Sequence, residues 1–350
     1  MKQVVTVVVI GYGGMGSRHA KQMRLVEGIC VKGAFDILPE KQRQMTEEGF
    51  CAYSSYEAVL QDHEVDMVVI ATPNQFHKPQ SIAAMQAGKH VVCEKPVALD
   101  TGELEEILQV QKETGKRFIV HQNRRWDEDY TTVRKVYDNG KIGEVFHIES
   151  RVMGSRGVPN DWRRMKECGG GMLFDWGVHL IDQILCMVPG KLMKIFCRLS
   201  YQLGLNVDDG FLLFLQFEGE KTVLLQAATW NFESMPRWYM NGMKGTVKID
   251  RWHQNGVVTC LKKEIVGDAV PVVTAAGITK TMAPREDDSL MTETLELLPG
   301  TPFAFYENVR DTLFGICEPI VRTEQVMRCL KVIEAARVSS ELGEAVMFEK

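Results

Sequence analysis

The feature that most narrows the fold of this chain is a cluster of four glycines, Gly11, Gly13, Gly14 and Gly16, placed directly after the apolar run 4–10. Glycine loses more backbone entropy on folding than any other residue, so such a density marks a tight turn or a place where something must approach the main chain. Gly11, Gly13 and Gly16 stand at GxGxxG spacing between a predicted strand and a helix predicted to begin near Met15. In that setting the first glycine makes the turn, the second admits a pyrophosphate to the backbone, and the third lets helix and strand pack closely. The helix N-terminus adds unpaired N–H groups and a partial positive charge. Ordinary turns also meet this spacing, and a second signal is needed.

Asp36 supplies it. It lies at the end of the second predicted strand, where a carboxylate accepts hydrogen bonds from a ribose diol and repels the phosphate of NADP. The competing reading is a helix cap, but Pro39 at a first-turn position puts that cap nearer Leu38. NAD is therefore the expected cofactor.

At 350 residues the chain exceeds the usual size of one core, which predicts about two domains. Its 41 Lys and Arg against 46 Asp and Glu argue against nucleic acid or an anionic membrane as the partner and favour a small molecule. The run 4–10 is too short to cross a bilayer and no cleavage site of small residues follows it. Nine cysteines, odd in number and without a CxxC pair, fit free thiols in a reducing cytoplasm.

Residues 1–122 alternate short β-branched runs (4–10, 29–35, 67–71, 91–93 and 118–120) with segments of helical period, the pattern of a doubly wound parallel sheet of Rossmann type. From 123 the strand-like runs 145–152, 195–201, 211–217, 222–229 and 246–250 follow one another on mostly short connections, with a hairpin turn at 218–221. This half, 123–350, reads as an α+β domain with a large, mostly antiparallel sheet and helices near 130–139 and 172–187. Run 211–217 is apolar on both faces, which predicts helices on one side and a second subunit on the other, hence a homodimer or homotetramer. The amphipathic helix 323–342 is expected to dock back near the first domain. Residues 261–300 follow no pattern we can assign.

Two constellations carry chemistry. Glu94-Lys95-Pro96 ends a strand, placing a lysine at the carboxyl edge of the parallel sheet, the edge where open α/β folds bind ligands; a plain surface lysine is the alternative. In "GGGMLFDWGVHLID", Asp175, His179 and Asp182 recur at helical spacing and should share one face. A histidine near a helix start is disfavoured as a cation, which leaves a neutral imidazole able to accept a proton. Metal binding is the rival reading, but there is no second histidine at ligand spacing and no cysteine pair, and no metal is expected.

These motifs, with "ATPNQFH" at 71–77, "AGKHVVCEKP" at 87–96 and "HQNRRW" at 121–126, resemble the oxidoreductases grouped around glucose–fructose oxidoreductase, inositol dehydrogenase and the rhizopine-catabolism protein. The resemblance implies NAD(P)-dependent hydride transfer at a hydroxyl carbon of a sugar, glycoside or cyclitol, such as oxidation of a glucoside to its 3-keto form. It implies that Lys95, Asp175 and His179 are catalytic: His179 as base, Lys95 on the developing alkoxide, Asp175 holding substrate or base. Cofactor contacts are expected from Gly11, Tyr12, Gly13, Gly14, Met15, Gly16, Asp36, Thr72, Pro73, Asn74, His77, Glu94, Lys95 and Gln122. Substrate contacts are expected from Lys95, Arg124, Trp126, Arg156, Trp162, Arg163, Asp175 and His179, with Arg125, Arg164 and Trp230 as further candidates. Core burial of Trp126 and Trp230, and solvation of several arginines, stay open. Two other functions remain alongside: a redox-neutral enzyme that recycles bound NAD, and a non-catalytic NAD-sensing regulator on the same fold.

Overall fold

The structure is a computed structural model; it describes residues 4–262, 271–279, 285 and 288–348. The first half carries strands β1 (Val5–Ile10), β2 (Ile29–Phe35), β3 (Cys51–Ala52), β4 (Met67–Ile70), β5 (His90–Cys93) and β6 (Phe118–Val120). They form one parallel sheet in the order β3-β2-β1-β4-β5-β6. Helices α1 (Gly14–Met23), α2 (Pro39–Glu47), α3 (Tyr56–Gln61), α4 (His77–Gln86) and α5 (Thr101–Thr114) connect them. The β4 sequence MVVI is buried at all four positions, as a strand covered on both faces requires. The strand order reverses at β1, so the crevice at the carboxyl ends of β1 and β4 is the ligand position that this topology provides.

The second half begins with α6 (Glu128–Asp138) and a nine-stranded sheet. Its strands are β7 (Val145–Met153), β8 (Leu192–Ser200), β9 (Gly210–Phe217), β10 (Thr222–Ala228), β11 (Trp238–Gly242), β12 (Gly245–Ile249) and β13 (Gly256–Leu261). A small hairpin of β14 (Val272–Thr274) and β15 (Gly277–Thr279) precedes β16 (Leu290–Leu295), and β17 (Val346–Met347) closes the far edge. All pairs in the large sheet are antiparallel except β7 with β10. The 218–221 hairpin is present, with Gly219 at φ 74°.

Register gives the two faces different roles. Ile195, Cys197, Leu213, Leu215, Val223 and Leu225 are buried on one face. Helices α7 (Val178–Met187) and α9 (Thr323–Leu342), with α8 (Ala304–Leu313), complete this domain, and α9 packs on β8. On the other face Phe196 pairs Phe214, which pairs Leu224, and these side chains are only partly covered. The last helix also reaches the parallel-sheet half, where Glu334 accepts hydrogen bonds from the Thr101 amide (2.7 Å) and hydroxyl (3.1 Å). Part of the unassigned stretch is resolved into order: β16 runs antiparallel to β13.

One expected helix differs. Residues 172–187 do not form a single α-helix, because Leu173–Gly177 winds as a π-helical turn before α7. The wider turn changes the angular offsets on which the shared-face reading of Asp175, His179 and Asp182 relied.

Candidate active site

Gly11 and Gly16 have the turn and the close approach that their spacing predicts. Gly11 has φ +87°, and a Cβ there would lie 2.7 Å from the carbonyl oxygen of Ala71; a Cβ on Gly16 would lie 1.8 Å from that of Gly11. The first substitution would push the turn off the end of β4, and the second would push α1 off the turn. At Gly13 a Cβ would meet nothing within 4 Å, so the outer side of the turn is an open cradle. Among the described residues no side chain caps α1, which leaves its first-turn N–H groups for an anion.

Asp36 stands at the rim of this cradle. Its carboxylate accepts the Tyr12 amide at 2.6 Å and the Leu38 amide at 2.9 Å. The N-cap of α2 is Leu38, as Pro39 predicts, and Asp36 buttresses the turn and the entry to that helix while remaining partly exposed. Thr72 and Pro73 follow β4 on the same edge, and the Thr72 hydroxyl donates to Gln80 at 2.7 Å. These residues fit a dinucleotide: an open glycine cradle, an uncapped helix and a carboxylate beyond it.

Several expected cofactor contacts turn inward. The Tyr12 ring is buried with its hydroxyl on Glu48 (2.9 Å), so only its backbone faces the turn. Asn74 donates to the Cys168 carbonyl at 2.8 Å. Both ring nitrogens of His77 are held by the Pro96 and Thr72 carbonyls, at 2.8 and 2.9 Å. Gln122 is buried. Glu94 points away from the crevice, toward His19 and His121. Gln122 aside, these four side chains satisfy a neighbouring backbone group or buried partner, as polar groups next to a sheet edge commonly do.

The catalytic candidates converge. Lys95 Nζ donates to Asp175 Oδ1 at 2.9 Å and to the Asp175 carbonyl at 3.0 Å, while Arg163 Nε donates to Asp175 Oδ2 at 2.8 Å. Burial alone would push the Asp175 carboxyl up, but the charges of Lys95 and Arg163 outweigh it and hold it below the usual range. His179 is 5 % exposed, and among the described residues no group bonds its Nδ1. Burial, followed by the charges of Lys95 and Arg124, holds its pKa well below the ordinary histidine value. His179 is the second residue of α7, but the π-helical turn Leu173–Gly177 runs directly into that helix, so burial and the two cations, rather than a free helix N-terminus, favour the neutral imidazole. Asp182 leaves the group altogether and binds Arg125 bidentately at 2.7 and 2.6 Å.

Arg125 is accordingly a strut, which also donates to the Ile320 carbonyl. Arg164 staples its loop through the Val158 carbonyl, and Arg156 is exposed. Trp162 is half-buried beneath the Arg163 guanidinium, 4.5 Å from its ring centre. Trp230 is not core: it is 55 % exposed, with its ring against Phe232.

Beside His179 opens a cavity of about 450 Å³ whose wall includes Arg124, Trp126, Trp176, Trp252 and Asp129. The walls do not include Lys95, Asp175 or His179, but Trp176, which lines the cavity, has its ring centre 6.0 Å from that of His179. Arg124 lies 4.4 Å from the Trp176 ring centre and 5.4 Å from that of Trp252, and Arg237 lies 4.2 Å from Trp252 on the next step. Trp176, Trp252 and Arg237 escaped the sequence reading. Trp176 lay within a motif already in view, between Asp175 and His179, whereas Trp252 sits in a stretch without periodicity.

Residues 5–122 match the family described as "Oxidoreductase family, NAD-binding Rossmann fold", and residues 130–248 match the GFO/IDH/MocA C-terminal domain. The chain belongs to the GFO/IDH/MocA oxidoreductase family. A solved NAD-binding protein from Listeria innocua is 43% identical, superposes with a TM-score of 0.95, and is covered over 100% of its length by 99% of this chain. The scyllo-inositol 2-dehydrogenase (NADP(+)) IolW of Bacillus subtilis is 24% identical, covering 99% of this chain and 96% of that protein. The 2,7-anhydro-N-acetylneuraminate hydratase of Escherichia coli is 30% identical over 69% of this chain and 66% of its own. As an oxidoreductase of this family with an NAD-binding Rossmann domain, the protein bears out the resemblance and the fold class read from its motifs.

Proposed function

We propose that this protein is an NAD-dependent dehydrogenase of a sugar, glycoside or cyclitol. The observation that carries the reading is the Lys95–Asp175 ion pair beside a buried His179 whose Nδ1 has no partner among the described residues. When bound, the dinucleotide supplies the hydride acceptor; the backbone of 11–16, with Asp36, Thr72 and Pro73, would hold it. His179 accepts the proton of the substrate hydroxyl. Lys95 donates to the oxygen as it gains negative charge, and Asp175 keeps that ammonium in place. Arg163 fixes the other oxygen of Asp175, so the carboxylate cannot swing away when substrate enters. Arg124, Trp126 and Trp176 offer cation and ring surfaces to the remainder of a polyhydroxylated ligand in the adjoining cavity. IolW and the Salmonella inositol 2-dehydrogenase, 27% identical over 43% of this chain, support a polyol substrate.

Asp36 supports NAD over NADP, although IolW is named for NADP(+). The partly covered row Phe196, Phe214 and Leu224 supports a homodimer or homotetramer through the open sheet face. Nine free thiols support a cytoplasmic location, and no helix among the described residues is long and apolar enough to cross a membrane.

The redox-neutral reading has one observation in its favour: the 30% identical relative from Escherichia coli is named a hydratase. Adding glucosides, free hexoses, inositols and sugar acids in turn to protein with NAD, while following nicotinamide fluorescence, separates the two. A rise with one ring type establishes the dehydrogenase and its substrate class. Product formation with no net NADH, from cofactor that copurifies and does not exchange, establishes the recycling enzyme.

A further inference from the structure

The proposed chemistry leaves a buried group next to its lysine unused. Glu94 is 6 % exposed, and one of its oxygens, Oε1, accepts hydrogen bonds from His19 Nε2 and His121 Nδ1, each at 2.8 Å. Its other oxygen accepts the backbone N–H of Lys95 at 3.1 Å. A buried carboxylate is costly unless its lone pairs are filled, and three donors from separate segments fill them here. His19 Nδ1 is in turn bonded to the Tyr306 hydroxyl, which donates once His19 carries its proton on Nε2. Tyr306 and Phe305 then close over the His121 ring, at 6.0 and 4.6 Å between centres.

These bonds join four parts of the fold. His19 lies on α1, one turn beyond the glycine cradle; Glu94 and Lys95 end β5; His121 follows β6; and Tyr306 is on α8 of the other half. Both oxygens of a single carboxylate therefore connect the helix whose N-terminus faces the cradle to the main chain of Lys95. A small movement of α1 cannot occur without breaking a 2.8 Å bond or moving Glu94, and with it the amide of Lys95, because satisfied buried networks are rigid.

We propose that Glu94, clamped between His19 and His121, is a positioning residue that couples occupancy of the glycine cradle to the placement of Lys95. The inference rests on the dinucleotide reading of that cradle. The three ligand atoms also lie within 4.8 Å of one another, a spacing open to a divalent cation, but hydrogen bonds on a shared oxygen already account for it.

ADP-ribose tests the coupling, since it carries the pyrophosphate and lacks the nicotinamide that would shield Lys95 directly. The readout is the rate of reductive methylation of Lys95, followed by peptide mass spectrometry with and without ADP-ribose. In the wild type, ADP-ribose changes that rate about fivefold or more, the lower end of ordinary coupling between linked sites. In Glu94→Gln and His19→Asn, ADP-ribose binds with similar affinity but the change is lost. Should these variants not fold, Tyr306→Phe removes one hydroxyl from the far end of the chain and is expected to weaken the response. An equal response in folded variants, or none in a wild type that binds ADP-ribose, overturns the proposal. Stoichiometric metal retained through dialysis overturns it in favour of a cation site. A wild type that binds neither ADP-ribose nor NAD removes the dinucleotide reading itself, and this inference with it.

Discussion

Arg163 and Lys95 grip opposite oxygens of one carboxylate, Asp175 Oδ2 at 2.8 Å and Oδ1 at 2.9 Å. The two cations come from different halves of the chain, so Asp175 is the point at which they are aligned. Replacing Lys95 or His179 by alanine is expected to lower turnover by about 10²–10⁴-fold, the usual worth of a positioned acid or base, while NAD binding is retained. Arg163→Lys should be milder, because a lysine supplies charge without the planar fork. Steady-state kinetics beside NAD titrations decide it; full activity in both alanine variants would remove the catalytic assignment.

The acid limb of the pH profile follows from His179. A base works above its pKa, and burial with the charges of Lys95 and Arg124 holds this one well below the ordinary value. Oxidation should therefore persist as pH falls through about 6.5, where an unperturbed histidine would already be half protonated. In Lys95→Met the acid limb of the residual activity should move toward higher pH, since one depressing charge is gone while burial and Arg124 remain. An acid limb at or above the ordinary histidine range in the wild type would show that another group is the base.

Asp36 gives a cofactor test with two readouts. Asp36→Ser removes the charge that opposes a 2′-phosphate, and NADP affinity is expected to rise by about tenfold, the effect of roughly 1.4 kcal/mol. NAD affinity should fall at the same time, because the Tyr12 amide loses its 2.6 Å acceptor and the turn loosens. Titration of both dinucleotides checks it, and unchanged selectivity would leave Asp36 as a buttress alone.

What was legible in the sequence is what backbone geometry dictates locally. Gly11 and Gly16 are forced by contacts with Ala71 and with each other, and the β-branched run before them can only be a buried strand. Asp175 and His179 were found because they share a short segment with three glycines. The π-helical turn at Leu173–Gly177 was not, since residue spacing is the same for either winding. The His19–Glu94–His121 network was invisible because its members lie 75 and 27 residues apart, and each alone reads as a polar residue near a strand or helix. Trp252 joins the cavity only through strand order in the second sheet.

Asp208 predicts an unusual stability curve. Its carboxyl accepts the Leu173 amide at 2.8 Å at the start of the catalytic segment, yet burial pushes its pKa up to about 6. The folded state therefore binds a proton more tightly than the unfolded chain, whose aspartate titrates near 3.8. This contribution to stability is complete below the unfolded value and is lost as pH rises toward 6. Asp208→Asn keeps an acceptor for the Leu173 amide without the buried charge. Relative to wild type it should gain stability between pH 4 and 7, by about 2–3 kcal/mol at most. Thermal melts of both proteins across that window measure the difference, and a constant offset would show that Asp208 titrates normally.

The open face of the second sheet predicts the assembly. Phe214 stands between Phe196 and Leu224 on neighbouring strands, and Leu212 is 38 % exposed on the same face. A contiguous apolar strip of this kind is uncommon on a monomer. Leu212→Glu with Phe214→Glu places two like charges in the middle of the strip. If two copies pack face to face there, the fourfold set of carboxylates repels and cannot be solvated, so the variant should run as a smaller species in size-exclusion chromatography with light scattering. The fold and NAD binding should survive, because the helices α7 and α9 cover the opposite face. A variant that keeps the wild-type mass would move the interface elsewhere.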